Sequence, residues 1–211
     1  MPLQNIESLS GDRMIGYWKL SEPYDLLLEQ VNLALEDGSF GKITHETKLR
    51  EWASTRILSE AMLSKWGVQY EGITKDDWGK PHLNQTDIWM SVTHSFPYVV
   101  VMMDKFQPVG IDIEAPSPKI SRIAHKFLHE KEAYAKTDKI SQTIIWAAKE
   151  ALYKYHGRKR LSFREQIIID KFKNSEHGAI SGRIIENGIK EEHQLVYKYV
   201  YEKDYLLVYT C

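Results

Sequence analysis

Apolar positions along the chain recur with two different periods, and the switches between them mark out the elements. From Thr47 to Trp66, the residues Leu49, Ala53, Ile57 and Ala61 return every fourth position, which predicts a helix that Gly67 stops. A loop rich in Gly and Asp runs from Glu71 to Pro81. Two short apolar runs, Ile88 to Val92 and Tyr98 to Met103, read as paired strands joined by the polar connection Thr93-His94-Ser95-Phe96-Pro97. After turn residues at 104–108, Val109 to Glu114 alternates apolar and acidic like a half-buried strand, ended by Ala115-Pro116-Ser117-Pro118. A helical stretch at Ile120 to Leu128 precedes a second strong helix from about Gln142 to Tyr155, stopped near Gly157. Ile167 to Ile169, Gln194 to Tyr201 and Tyr205 to Tyr209 read as strands, the last two forming a hairpin across Glu202-Lys203-Asp204.

The mixture predicts an α+β fold. The segment Trp52-Ala53-Ser54-Thr55-Arg56-Ile57-Leu58 faintly echoes Trp146-Ala147-Ala148-Lys149-Glu150-Ala151-Leu152, agreeing at Trp, Ala and Leu. That echo places a boundary near Pro108, between an N-terminal half, 1–108, and a C-terminal half, 109–211. Residues 1–45 carry no motif that can be anchored.

Composition narrows the classes. Hydrophobic residues at 43% and charged residues at 27% describe an ordinary folded protein. The 28 Lys and Arg nearly cancel the 29 Asp and Glu, so the basic footprint of a general nucleic-acid binder is missing and any anion site must be local. The single cysteine, Cys211, excludes a disulfide framework or cysteine metal cluster within one chain, and it does not stand where a prenylation box needs it. Met1 to Ser10 has neither a basic region nor an apolar run, and no 18-residue apolar stretch occurs anywhere. A cytoplasmic protein without membrane or nucleic-acid partners is expected.

Three segments carry candidate chemistry. In Gly110-Ile111-Asp112-Ile113-Glu114, an extended chain points Asp112 and Glu114 to one face, about 7 Å apart, and the isoleucines to the other. Such a pair suits a hard cation such as magnesium, which takes its other ligands from water and phosphate. Alternation alone more often means a strand with acidic residues facing solvent. On the helix, Ile145, Ala148, Leu152 and Tyr155 form an apolar stripe, so Glu150 and Lys154 share the opposite face. By itself that is a surface pair contributing about 0.3–0.5 kcal/mol. Trp78-Gly79-Lys80-Pro81-His82 and Ser91-Val92-Thr93-His94-Ser95 offer a close-approach glycine, a point charge for phosphate, and hydroxyl and imidazole donors. A histidine in a turn is more often only solvated.

In order and separation, these segments resemble the 4'-phosphopantetheinyl transferase family in its larger monomeric form, a pseudo-dimer of two similar α+β halves, each a helix packed on a small, mainly antiparallel sheet. The metal motif is Gly110 to Glu114, and Trp146 to Lys154 matches the family's Trp-x-x-Lys-Glu-Ala-x-x-Lys helix. The Gly-Lys-Pro segment and the hydroxyl-His-Ser turn precede them, so the likeness spans about Thr47 to Phe163. Thr93 stands where the family commonly has Ser, and Ile113 fills a position where some relatives carry a third acid.

The resemblance implies Mg2+-dependent transfer of the phosphopantetheine arm of coenzyme A to a serine of an acyl or peptidyl carrier protein, releasing 3',5'-ADP. It implies Asp112, Glu114 and Glu150 as metal ligands. Glu150, Lys154 and Lys149 are implied as catalytic residues, with Lys80, Thr93, His94 and Arg56 holding coenzyme A. A monomer is implied. The rival readings are a metal-dependent pyrophosphate hydrolase and a non-catalytic coenzyme A or carrier-binding module. Arg122 and Lys126, one helical turn apart with Ile123 and Phe127 beside them, form a candidate docking face for the acidic carrier, unless that apolar stripe is core.

Overall fold

Two units divide the chain, Met1–Pro108 and Val109–Cys211, each with its own sheet and core. The computed structural model describes residues 2–36, 38–157, 160–201 and 204–211.

The N-terminal unit begins with β1 (Leu3–Ser8) and β2 (Arg13–Lys19), an antiparallel pair within the stretch that carried no readable motif. A short helix, α1 (Tyr24–Leu28), and two 3-10 turns lead to α2 (Glu46–Lys65). The expected loop from Glu71 to Pro81 is instead part of a small ribbon, β3 (Ile73–Lys75) with β4 (Pro81–Leu83). Its turn is closed by Asp76, whose Oδ1 accepts from the backbone N–H of Trp78 and of Lys80. The strand expected at Ile88 to Val92 runs on as β5 (Trp89–Ser95), pairing with β6 (Tyr98–Asp104) through a tight turn at Phe96-Pro97. Thr93, His94 and Ser95 therefore belong to a strand and not to a connection: Thr93 turns into the interior while His94 is exposed. The sheet order is β1-β2-β6-β5. A Cβ at Gly16 would lie 2.6 Å from Met62 Sδ, so α2 rests directly on the backbone of β2. Leu58, Met62 and Leu63 of α2 pack with Val99, Val101 and Met103 of β6 to form the core.

The C-terminal unit runs β7 (Ile111–Glu114), α3 (Pro118–Phe127), a 3-10 turn over Glu130–Ala135, α4 (Lys139–His156), β8 (Ile167–Ile169), β9 (His177–Glu186), β10 (Ile189–Val200) and β11 (Tyr205–Thr210). Its antiparallel sheet has the order β7-β11-β10-β9-β8. The strand β9 escapes periodicity because Gly178 and Gly182 interrupt it; both sit where neighbouring side chains leave no room for a Cβ. The β10–β11 connection passes through Glu202 and Lys203, which lie outside the described residues. Asp138 caps α4 by accepting from Ile140 N–H, and Gly157, at φ 73°, ends it by donating to the Tyr153 carbonyl. The helix lies close enough to the start of β7 that a Cβ on Gly110 would come 1.9 Å from the Ala151 carbonyl oxygen. Only glycine allows this approach, which brings the helix against the acidic strand.

Each unit therefore sets one long helix on an antiparallel sheet, in the α+β class that the pattern predicts. In α3, Ile120, Ala124 and Phe127 are buried while Arg122 and Lys126 are exposed. Phe127 is thus core, because the apolar stripe of a short helix packs inward, and the exposed face carries charge without it. Among the described residues no helix is long and apolar enough to cross a membrane.

Candidate active site

Strand β7 is not the half-solvated strand that its alternation suggests. Ile111 and Ile113 are core, Asp112 is 5% exposed, and Glu114 is half-buried. Register with β11 sets Asp112 opposite Val208 and Glu114 opposite Leu206. From α4, Lys154 reaches across: its Nζ lies 2.7 Å from Asp112 Oδ1 and 3.0 Å from the Ile111 carbonyl oxygen. One turn earlier stands Glu150, and one turn before that Trp146, whose Nε1 donates to Glu114 Oε1 at 2.8 Å. Two residues of a strand and three of a helix thus meet with alternating function and spacing of four.

The electrostatics follow from crowding acids in a partly dry place. Burial, then repulsion from Asp112, pushes Glu150 up to about 7 against the pull of Lys154, with Glu114 adding repulsion. Glu114 rises to about 7 for the same first two reasons, opposed by the Trp146 hydrogen bond and the charges of Lys154 and Lys119. The set therefore holds more negative charge than its surroundings neutralise. Among the described residues no three His, Cys, Asp or Glu side chains close into a metal cage. Magnesium does not require one, since it takes one or two carboxylates and completes its shell with water and phosphate oxygens. Repelling carboxylates on one rigid edge fit it in this sense.

Lys149, expected beside the pyrophosphate, is wholly buried. Its three ammonium protons go to the Phe127 carbonyl (2.7 Å), Glu132 Oε2 (2.7 Å) and the Phe163 carbonyl (2.8 Å). Glu132 in turn accepts from the backbone N–H of His129 and of Ile169. Burial pulls Lys149 down, but the Glu132 charge and hydrogen bond oppose it. Sequence spacing places Lys149 next to Glu150 without revealing that it turns the other way, and nothing local marks Glu132, 17 residues away, as its partner.

The residues expected to hold coenzyme A lie in the N-terminal unit and do not all converge. A cavity of about 410 Å³ is lined by His94 and Arg56 together with Lys48, Glu51, Lys75 and Gly79. Glu51 Oε2 lies 2.6 Å from Lys48 Nζ and 3.2 Å from His94 Nε2. Arg56 is less available than expected: it is buried, paired to Glu36 at 2.9 Å and stacked 4.0 Å over the Trp52 ring. Thr93 and Lys80 are not among the lining residues, and the Lys80 ammonium sits 5.4 Å from the Trp89 ring centroid. Lys48, Glu51 and Lys75 look like ordinary charged positions of a helix and a short ribbon, since nothing local in the sequence shows that Glu51 is buried or that the three line one cavity.

The sequence model of the 4'-phosphopantetheinyl transferase superfamily matches residues 108–210, nearly the whole C-terminal unit. That unit is therefore similar to this superfamily. It is 31% identical over 115 residues to the 4'-phosphopantetheinyl transferase gsp of Aneurinibacillus migulanus, covering 48% of each chain. To the 4'-phosphopantetheinyl transferase Sfp of Bacillus subtilis (strain 168) it is 30% identical over 123 residues, covering 54% of this chain and 53% of the relative. The aligned part thus spans about half the length of these relatives.

Proposed function

We propose that this protein transfers the 4'-phosphopantetheine group of coenzyme A to a serine hydroxyl of an acyl or peptidyl carrier protein. The observation that carries this reading is the meeting of Asp112 and Glu114 with Glu150 and Lys154 across β7 and α4. Asp112, Glu114 and Glu150 are the residues that would hold Mg2+, which when bound supplies a Lewis acid toward the pyrophosphate oxygens.

The remaining work falls to the side chains. Glu150 would accept the proton of the attacking serine, directly or through a bound water. The serine oxygen bonds to the β-phosphorus, the bond from that phosphorus to the bridging oxygen breaks, and 3',5'-ADP departs with the bonding pair. Lys154 offsets the charge that develops on the leaving phosphate, and until then Asp112 keeps its ammonium in place. In the N-terminal unit, Lys48, Lys75 and His94 give the cavity donors for a phosphate of coenzyme A. Arg56, held by Glu36, shapes the wall.

Intact-mass measurement of several apo carrier proteins, incubated with the protein, magnesium and coenzyme A, tests the reading. A gain of one phosphopantetheine mass is expected. Unchanged carriers, or coenzyme A cleavage at the same rate without carrier, would overturn it in favour of a binding module or a hydrolase.

A further inference from the structure

Phe127 and Phe163 each appear twice in the C-terminal unit, once by backbone and once by ring. Their carbonyl oxygens are two of the three acceptors of the buried Lys149 ammonium. Their rings flank the Trp146 indole, with centroids 5.1 and 5.4 Å away and interplanar angles of 58° and 42°. Tyr153 backs Phe163 at 5.3 Å. The clamped indole then presents Nε1 to Glu114 Oε1 at 2.8 Å.

We infer that Lys149, with Glu132, is a positioning residue: the buried ammonium fixes the aromatic clamp on Trp146, and the Trp146 N–H fixes the direction of the Glu114 carboxylate. The inference rests on the reading of Glu114 as a metal ligand.

The physical case is one of rigidity. Phe127 ends α3, and Phe163 lies in the irregular connection between α4 and β8, so neither is held by a helix or sheet ladder of its own on both sides. A cation with three fixed acceptors locks both backbones to α4, the element that carries Trp146. Glu132 keeps that cation charged in the interior and binds the start of the 3-10 turn (His129) and β8 (Ile169) into the same knot. A carboxylate that accepts a hydrogen bond from a fixed donor has one oxygen engaged and the other oriented, which is how outer partners commonly tune ligands.

The test is direct Mn2+ binding to the metal-free full-length chain by calorimetry, with thermal melting alongside and neither carrier nor coenzyme A present. Trp146→Phe keeps an aromatic ring between Phe127 and Phe163 and removes the N–H together with part of the indole's bulk. It is expected to weaken Mn2+ binding about 10-fold, the lower end for loss of an outer partner, in a chain that still melts cooperatively at a modestly lower temperature. Lys149→Met alone leaves Glu132 uncompensated and is prone to unfold, so it is combined with Glu132→Gln, which keeps an acceptor for a backbone N–H. This folded double variant is expected to weaken Mn2+ binding by a similar factor. Adding Trp146→Phe to it should cost little more, because all three changes act through one carboxylate. Unchanged Mn2+ affinity in Trp146→Phe, or losses that multiply in the triple variant, overturns the inference while leaving the proposed transferase intact. A wild-type chain that binds no Mn2+ overturns the metal reading and this inference with it.

Discussion

Lys154 Nζ lies 2.7 Å from Asp112 Oδ1, so the cation expected to face a phosphate is held by one of the carboxylates expected to face the metal. The ammonium remains partly exposed, whereas the carboxylate is nearly buried. This pairing and the crowding of Glu150 have opposite consequences for stability. Lys154→Met removes the partner of a buried acid and should lower stability by about 1–3 kcal/mol. Glu150→Gln removes a repelling charge and should raise the stability of the metal-free chain at pH 8. Both should lower kcat by roughly 10²-fold or more. Denaturant melts paired with steady-state kinetics check this, and equal signs on stability for the two variants would contradict it.

The pH dependence of the metal-free chain follows from the same acids. Glu114 and Glu150 rise from an ordinary 4.5 to about 7, so between those values the folded chain keeps protons that the unfolded chain has released. Stability is therefore greatest below about pH 4.5 as far as these two groups decide it, and it falls as pH rises through 7, by a few kcal/mol at most. Melting temperatures in chelator across this range should show the decline, and Glu150→Gln should flatten it. Magnesium added at pH 8 should restore stability. A slope identical in wild type and variant would show that other groups dominate.

The place of α4 depends on Gly110. Its missing Cβ leaves 1.9 Å to the Ala151 carbonyl and 2.8 Å to the Tyr155 nitrogen, both backbone atoms that cannot swing aside. Gly110→Ala should therefore push helix from strand, lower stability by about 3 kcal/mol and abolish transfer. Circular dichroism melts and the carrier mass assay give both readouts. A stable, active alanine variant would mean that the helix tolerates displacement.

How much of this could be read from the sequence depends on the range over which each contact acts. Strand and helix periods are local, so they fix that Asp112 shares a face with Glu114 and Glu150 with Lys154; that the two pairs form one site is legible only through the family resemblance. The inward turn of Lys149 was not legible, since its acceptors stand 14 to 22 residues away along the chain and no spacing rule connects them. In β2, the buried run Met14-Ile15-Gly16-Tyr17-Trp18 shows no alternation, so the strand stayed hidden in the first 45 residues. The cavity in the N-terminal unit gathers charges from α2, β3 and β5 that look unremarkable one at a time.

For that cavity, Lys48→Ala, Lys75→Ala and His94→Ala should each weaken coenzyme A binding several-fold, and more at low salt, as exposed phosphate contacts do. Glu51→Gln should strengthen binding, because it releases Lys48 and His94 from a competing carboxylate. Calorimetric titration checks this, and tighter binding in the lysine variants would place the phosphate elsewhere.

On α3, Arg122 and Lys126 are exposed while Ile120, Ala124 and Phe127 anchor the helix. Arg122→Glu with Lys126→Glu should raise KM for the carrier and flatten the salt dependence of kcat/KM without altering coenzyme A affinity. Wild-type carrier kinetics at low salt in this double variant would move the docking face to another surface.

The knot around Lys149 also bears on how the C-terminal unit comes apart. Glu132 and Lys149 bind segments that include Phe127, His129, Phe163 and Ile169 into one interior charge pair. If any of these segments opened alone, it would strand a polar or charged group away from water, so small local excursions are penalised and loss of structure is concerted. The amide hydrogens of Ile169 and of the middle of α4 should consequently exchange with solvent together, at the rate of global unfolding. The ion pair thus contributes less to the depth of the folded well than to the sharpness of its edge.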